Sequence, residues 1–131
     1  MKIALAQLNP SVGDRQGNRR KIVDFAHQAY RQGAELVIFP EMCVAGYPSQ
    51  DLLDMPAFIE AVAHTVETIA LEVPRELGVI LGAPIRNESP VGKRLFNAAL
   101  LLEGGRIVAR VPKRLLPTYD VFDEYRYFEP G

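Results

Sequence analysis

Two residues of opposite charge occupy matching places in this sequence. Glu41 follows the apolar run LVIFP, and Lys113 follows the apolar run RIVARVP. A carboxylate at the C-terminal end of a buried strand costs free energy unless it is paired or hydrogen-bonded. Burial there also raises its pKa, which suits a general base. If both runs are strands of one sheet, the two charges can meet as a pair. Each also has an ordinary reading: a surface acid where a strand leaves its sheet, and a surface lysine beside Arg114. The segment after Lys113 weighs against the ordinary reading. Tyr119, Phe122, Tyr125, Tyr127 and Phe128 crowd a short stretch that also carries Asp120, Asp123 and Glu124. Loops expose small polar residues as a rule, whereas large aromatics need a surface to cover. The segment is suited to capping a pocket or docking on another subunit.

The remaining reactive side chains read as structural. Cys43 is the single cysteine, so neither an intrachain disulfide nor a cysteine zinc cluster can form. It stands two residues after Glu41, which on an extended backbone separates the Cα atoms by about 6.6 Å with both side chains on one face. A small apolar packing residue is nevertheless the better reading. His27 shares a helical face with Asp24, Gln28 and Arg31, and His64 with Glu60, Glu67 and Thr68; both read as solvated. The Glu103-Gly104-Gly105-Arg106 stretch reads as a hairpin turn rather than a phosphate-cradling loop.

The elements that must position Glu41 and Lys113 follow from the hydrophobic pattern. KIALAQLN is a compact apolar run closed by Asn-Pro, as expected of a strand buried on both faces. Asp14 is placed to cap a helix whose apolar stripe is Ile22, Phe25, Ala26, Ala29 and Tyr30, with Gly33 just past its end. ELVIFPEM is a second buried strand, and Pro40 forces an irregular exit from it. GYPSQDLLDMP is a loop with room for one helical turn. Pro56 opens a second helix with the stripe Phe58, Val62, Val66, Ile69 and Val73. GVILGAPI is a third strand, and LFNAALLL and RIVARVP flank the Gly-Gly turn as a hairpin. Buried strands alternating with helices, then a hairpin, predict an α/β fold with some antiparallel pairing.

Composition bounds the rest. A chain of 131 residues with 48% hydrophobic and 24% charged residues fits one globular domain with a real core. Fifteen basic residues face sixteen acidic ones, so nothing marks a nucleic-acid or anionic-membrane surface. The RQGNRRK patch reads as a solvated helix start. The N-terminal run lacks the length and cleavage site of a signal peptide, and no stretch reaches membrane-spanning length, so a reducing cytoplasm is the expected setting.

Three stretches carry a resemblance: IALAQLNPSVGD with Gly17-Asn18, LVIFPEMCVAGYPSQDLL, and KRLLPTYDVFDEYRYFEPG. In order and spacing they resemble the nitrilase (carbon–nitrogen hydrolase) superfamily, and within it the N-terminal glutaminase domain of glutamine-dependent NAD+ synthetases. The resemblance runs from Lys2 to Gly131 and covers the first part of that domain only. It implies a nitrilase-like αββα sandwich, of which residues 1–131 are the N-terminal portion, and a Glu-Lys-Cys triad. Glu41 matches the general base and Lys113 the lysine that stabilises the oxyanion. Glu124 matches a second glutamate near that lysine, Tyr119 a tyrosine of the glutamine pocket, and Phe122 a residue walling it. The family's nucleophilic cysteine belongs to a segment downstream of FEPG, so the resemblance implies that these 131 residues alone are inactive. The implied activity is hydrolysis of the glutamine amide, with ammonia passed to a downstream synthetase domain that amidates deamido-NAD+. No cofactor is expected in this chain; ATP and Mg2+ are expected in the synthetase domain, and a homo-oligomer is expected. The alternatives are another amidase or nitrilase of the superfamily, a non-catalytic binding module that keeps the fold, and a plain α/β domain. Without its downstream part the fold is expected to leave a large apolar surface open.

Overall fold

The computed structural model describes residues 1–117 and 124–131. Five strands form one sheet in the order in which they occur in the chain: β1 (Ile3–Leu5), β2 (Leu36–Ile38), β3 (Gly78–Arg86), β4 (Leu95–Glu103) and β5 (Arg106–Pro112). The first three are parallel, which requires crossover connections, and α1 (Arg15–Arg31) and α2 (Pro56–Glu72) supply them. The last three form an antiparallel meander. Its tight turn is Gly104-Gly105, with φ of +63° and +84°, the left-handed pair that a two-residue hairpin of this twist requires.

Both crossovers move in one direction across the sheet, so both helices lie on the same face. There they are tied together: Arg15 donates to Thr65 Oγ1 at 3.2 Å, Arg19 pairs with Glu72, and the His27 ring meets the Glu72 carbonyl. Asp14 caps α1 by accepting from Gly17 N at 3.0 Å, and Pro56 occupies the first turn of α2, as the sequence predicts. Ile22, Ala26 and Ala29 of α1 pack with Val62, Val66 and Ile69 of α2 over Val79, Leu81 and Ala83 of β3 and Ala98, Leu100 and Leu102 of β4.

Two expectations change. The buried stripe of α1 runs through Gly17, Asn18, Ile22, Ala26 and Ala29, and Phe25 and Tyr30 sit at its margins with much of their area in water. The first strand is not buried on both faces. Only Ile3, Ala4 and Leu5 pair, at the sheet edge, and Ile3 and Leu5 are 50% and 70% exposed. They belong to the face opposite the helices, where their register partners Leu36, Ile38 and Ile80, and Ala99 and Val111 beyond them, also stand incompletely covered. That face is apolar and has no layer of described residues over it.

Candidate active site

Glu41 owes its position to a backbone that keeps following β3 after β2 has ended. Phe39 N donates to Ile80 O at 2.8 Å, and Val44 N donates to Gly82 O at 3.3 Å. Between these anchors Pro40 and a left-handed Met42 (φ +54°) turn the chain. The turn presses on β3 so closely that a Cβ on Gly82 would lie 2.3 Å from Met42 N and 2.9 Å from Glu41 Cα. Residues 42–46 behind it are buried.

A second anchor comes from α1. Asn18 is fully buried; its side chain accepts from Ser11 N at 2.8 Å and donates to Ser11 O at 2.8 Å and Val44 O at 3.0 Å. One side chain thus joins the loop after β1 to the loop that presents Glu41. Asn18→Leu removes three hydrogen bonds and leaves the buried Val44 carbonyl without its amide donor, so it is expected to destabilise the protein by about 3 kcal/mol. Urea denaturation checks this, and an unchanged midpoint would contradict it.

Lys113 leaves the end of β5 with its N–H bonded to Asn97 O of β4 at 2.7 Å. Glu124 opens a 3₁₀ turn, Glu124–Arg126, whose following segment is fastened to the sheet. Phe128 bridges Leu95 and is buried, Glu129 N donates to Leu95 O at 2.8 Å, and Gly131 N donates to Lys113 O at 2.9 Å. Tyr127 OH donates to Asp51 at 2.9 Å, and Lys93 lies over the Tyr125 ring. The aromatic segment therefore covers the chain's own core through Phe128 and Tyr127. Tyr119 and Phe122 lie outside the described residues.

These elements bring three charges together. Lys113 Nζ stands 2.8 Å from Glu41 Oε1 and 3.0 Å from Glu124 Oε1. Asn97 Nδ2 donates to Glu41 Oε1 at 2.6 Å and reaches Glu124 Oε2 at 3.3 Å, and Tyr47 OH donates to Glu124 Oε1 at 2.8 Å. Burial pulls the Lys113 pKa down, but the hydrogen bonds and charges of Glu41 and Glu124 outweigh it and hold the ammonium above its ordinary value. Burial, and then the Glu124 carboxylate, push the Tyr47 phenol well above its usual range.

The burial expected of Glu41 falls instead on Glu124. The Glu41 side chain is 46% exposed and that of Glu124 only 4%. Glu41 comes three residues after β2 ends, at the rim of a groove on the uncovered face, about 390 Å³ in volume, with Ile80, Gly82, Asn97 and Lys113 among its walls. Glu124 lies deeper and also walls a cavity of about 260 Å³ with Tyr47, Ser49, Asp51 and Tyr127. An exposed carboxylate held against a fixed ammonium can exchange a proton with a group in the groove, and the ammonium can meet negative charge developing there.

The pattern of residues pointed to Glu41 and Lys113, and the family resemblance to Glu124, but neither pointed to Asn97 or Tyr47. The signal for Asn97 was a lone amide inside LFNAALLL; Tyr47, in GYPS, had none. Cys43 is fully buried, its Sγ is 3.7 Å from Gly82 O, and burial pushes its thiol up to about 12. His27 serves the helix pair, and His64 is exposed. Among the described residues no three His, Cys, Asp or Glu side chains are grouped to hold a metal ion, and no helix is long and apolar enough to cross a membrane.

Known proteins resemble this chain in sequence and fold. A family profile described as carbon–nitrogen hydrolase matches residues 2–131. A glutamine-dependent NAD+ synthetase of Synechocystis sp. is 44% identical over 96% of the chain, which spans 23% of that relative. Among solved structures, a glutamine-dependent NAD+ synthetase of Acinetobacter baumannii superposes with a TM-score of 0.88 at 36% identity, over 98% of this chain and 24% of that one. An amidase of Nesterenkonia sp. gives 0.78 at 28% identity, over 100% of this chain and 48% of its own. In one solved variant of that amidase, acrylamide has added to the active-site cysteine. The chain thus spans about a quarter of the synthetases it resembles.

Proposed function

The chain belongs to the carbon–nitrogen hydrolase family, and from that premise we propose that it supplies the base and the oxyanion stabiliser of a glutaminase within a glutamine-dependent NAD+ synthetase. One observation carries the reading: Lys113 holds an exposed and a buried carboxylate, Glu41 and Glu124, at 2.8 and 3.0 Å beside an open groove. The synthetase relatives support the choice of glutamine.

In this mechanism a cysteine from outside these 131 residues lies in the groove. Glu41 takes the thiol proton as sulfur attacks the side-chain amide carbon of glutamine. The carbonyl oxygen becomes an oxyanion, and the Lys113 ammonium stabilises it. Collapse breaks the C–N bond, Glu41 returns the proton to the departing nitrogen, and ammonia and a thioester result. Water then attacks the thioester, Glu41 again taking a proton, and glutamate and free thiol are released. The ammonia passes to a downstream synthetase domain, which binds ATP and Mg2+ and amidates deamido-NAD+. Tyr119 and Phe122 line the glutamine pocket in this reading, and the protein works in the cytoplasm as a homo-oligomer.

Cys43 has no part in the chemistry, because a thiol held near 12 in a closed core is neither ionised nor accessible. The test is release of ammonia and glutamate from glutamine by the full-length enzyme, alongside simple aliphatic amides and nitriles. Glutamine is expected to be the best substrate, and Cys43→Ala is expected to keep its rate within about twofold, as for a volume change in a core. Turnover of simple amides without glutamine hydrolysis would overturn the reading in favour of a plain amidase. Loss of thioester formation in a folded Cys43→Ala enzyme would overturn the assignment of the nucleophile.

A further inference from the structure

Two carboxylates share one ammonium at this site, so Lys113 neutralises only one of two negative charges. Like charges this close repel, and in a cluster free to relax Glu41 would swing into the open groove. Glu124 cannot leave, since its side chain is buried and its backbone is tied on both sides, N to Pro117 O at 3.1 Å and O to Phe128 N at 2.9 Å. A neutral group with two N–H bonds can face both carboxylates without adding charge. The Asn97 amide nitrogen has that capacity, and it lies 2.6 Å from Glu41 Oε1 and 3.3 Å from Glu124 Oε2. The same residue's carbonyl accepts the Lys113 N–H at 2.7 Å. Asn97 is 2% exposed and sits on β4, an interior strand, where it pairs with Pro84 on one side and accepts the Lys113 N–H on the other.

We infer that Asn97 is a positioning residue for the hydrolysis proposed above: it holds Glu41 at the rim of the groove against the repulsion of Glu124, and fixes the root of Lys113. This rests on the glutaminase reading. A leucine at position 97 would fill the space without donating. An aspartate would fill it and reverse the electrostatics, since its ionised form is acceptor-only and places a third carboxylate beside two others. Its protonated form regains one donor. Among the described residues, the titratable groups that meet Asn97 directly are Glu41, Glu124 and Lys113, and Tyr47 joins them through Glu124. An aspartate here therefore faces two carboxylates and one ammonium.

The test uses the full-length enzyme carrying Asn97→Leu or Asn97→Asp, with glutamine hydrolysis followed from pH 5.5 to 9. Synthesis driven by added ammonium chloride, which bypasses the amide chemistry, serves as the control for folding. Asn97→Leu is expected to lower kcat about a hundredfold with KM within about threefold, the pattern of an interaction lost in the transition state. Its deficit relative to wild type should stay constant with pH. The Asn97→Asp deficit should shrink at least about tenfold as pH falls, because protonation restores a donor and removes a charge. Parallel pH profiles for wild type and a folded Asn97→Asp enzyme would overturn the inference, and so would a kcat for Asn97→Leu within threefold of wild type. A wild-type enzyme that makes NAD+ from ammonia yet leaves glutamine intact would instead overturn the glutaminase reading.

Discussion

Lys113→Met is expected to lower glutamine hydrolysis by the full-length enzyme by about a thousandfold, the scale of a lost oxyanion donor. Two effects act together. The developing oxyanion loses its ammonium, and Glu41 and Glu124 are left facing one another with no positive charge between them. Stability should fall too, and the two arms of the lysine contribute unequally. The Lys113 and Glu41 side chains are about a third and nearly half exposed, so their pairing adds little. Glu124 is buried, and removing its charge partner is expected to cost about 3 kcal/mol. The pH dependence follows from the raised Lys113 pKa. A cation whose folded pKa lies above its unfolded value stabilises fully below the unfolded value, and that contribution fades as pH climbs through the folded one. The advantage of wild type over Lys113→Met should therefore hold from neutral pH to about 10.5 and shrink above it. Urea unfolding at pH 7.5 and pH 11 measures this; an advantage that grew with pH would contradict the pairing.

Gly82→Ala should be comparably damaging to the fold, although the added group is a single uncharged methyl. The new Cβ would fall 2.3 Å from Met42 N and 2.9 Å from both the carbonyl carbon and Cα of Glu41. The obstruction is backbone, anchored before the turn by Phe39 N to Ile80 O and after it by Val44 N to Gly82 O. No rotamer relieves it, so either β3 or the Glu41 turn must move. We expect a loss of about 3 kcal/mol, the upper range for overpacking, and hydrolysis reduced about a hundredfold. Displacement of Glu41 by an ångström is enough for the second effect. A Gly82→Ala enzyme with normal kcat would show that the turn is free to shift, against the anchoring described.

The two strand-end charges were legible because apolar runs such as LVIFP and RIVARVP announce strands, and a charge at the end of one needs an explanation. Their meeting was also inferable, since both runs belong to one sheet. Register was not. Asn97 falls beside Lys113 and Glu41 because Ala98 pairs with Pro112 and Gly82 with Ala99, and nothing local to LFNAALLL sets that alignment. Exposure was misread for a related reason. Apolar content alone cannot separate a strand covered on two faces from one covered on one, so Ile3 and Leu5 read as core. Glu41 looked buried because it followed buried residues, yet its side chain turns out to the groove rim while its backbone stays pressed on β3. Tyr47 stayed invisible because its partner, Glu124, lies 77 residues away.

The strand order has a consequence for how the molecule is made. Each strand lies beside the one synthesised immediately before it, so during translation every new strand meets an edge that already exists. No strand must be inserted between two that have paired, and no early strand waits for a distant partner. The charged cluster assembles in the same direction. Glu41 arrives with the second strand, Asn97 with the fourth, Lys113 after the fifth, and Glu124 reaches them last. Until then the ammonium of a nascent chain has only one carboxylate to hold.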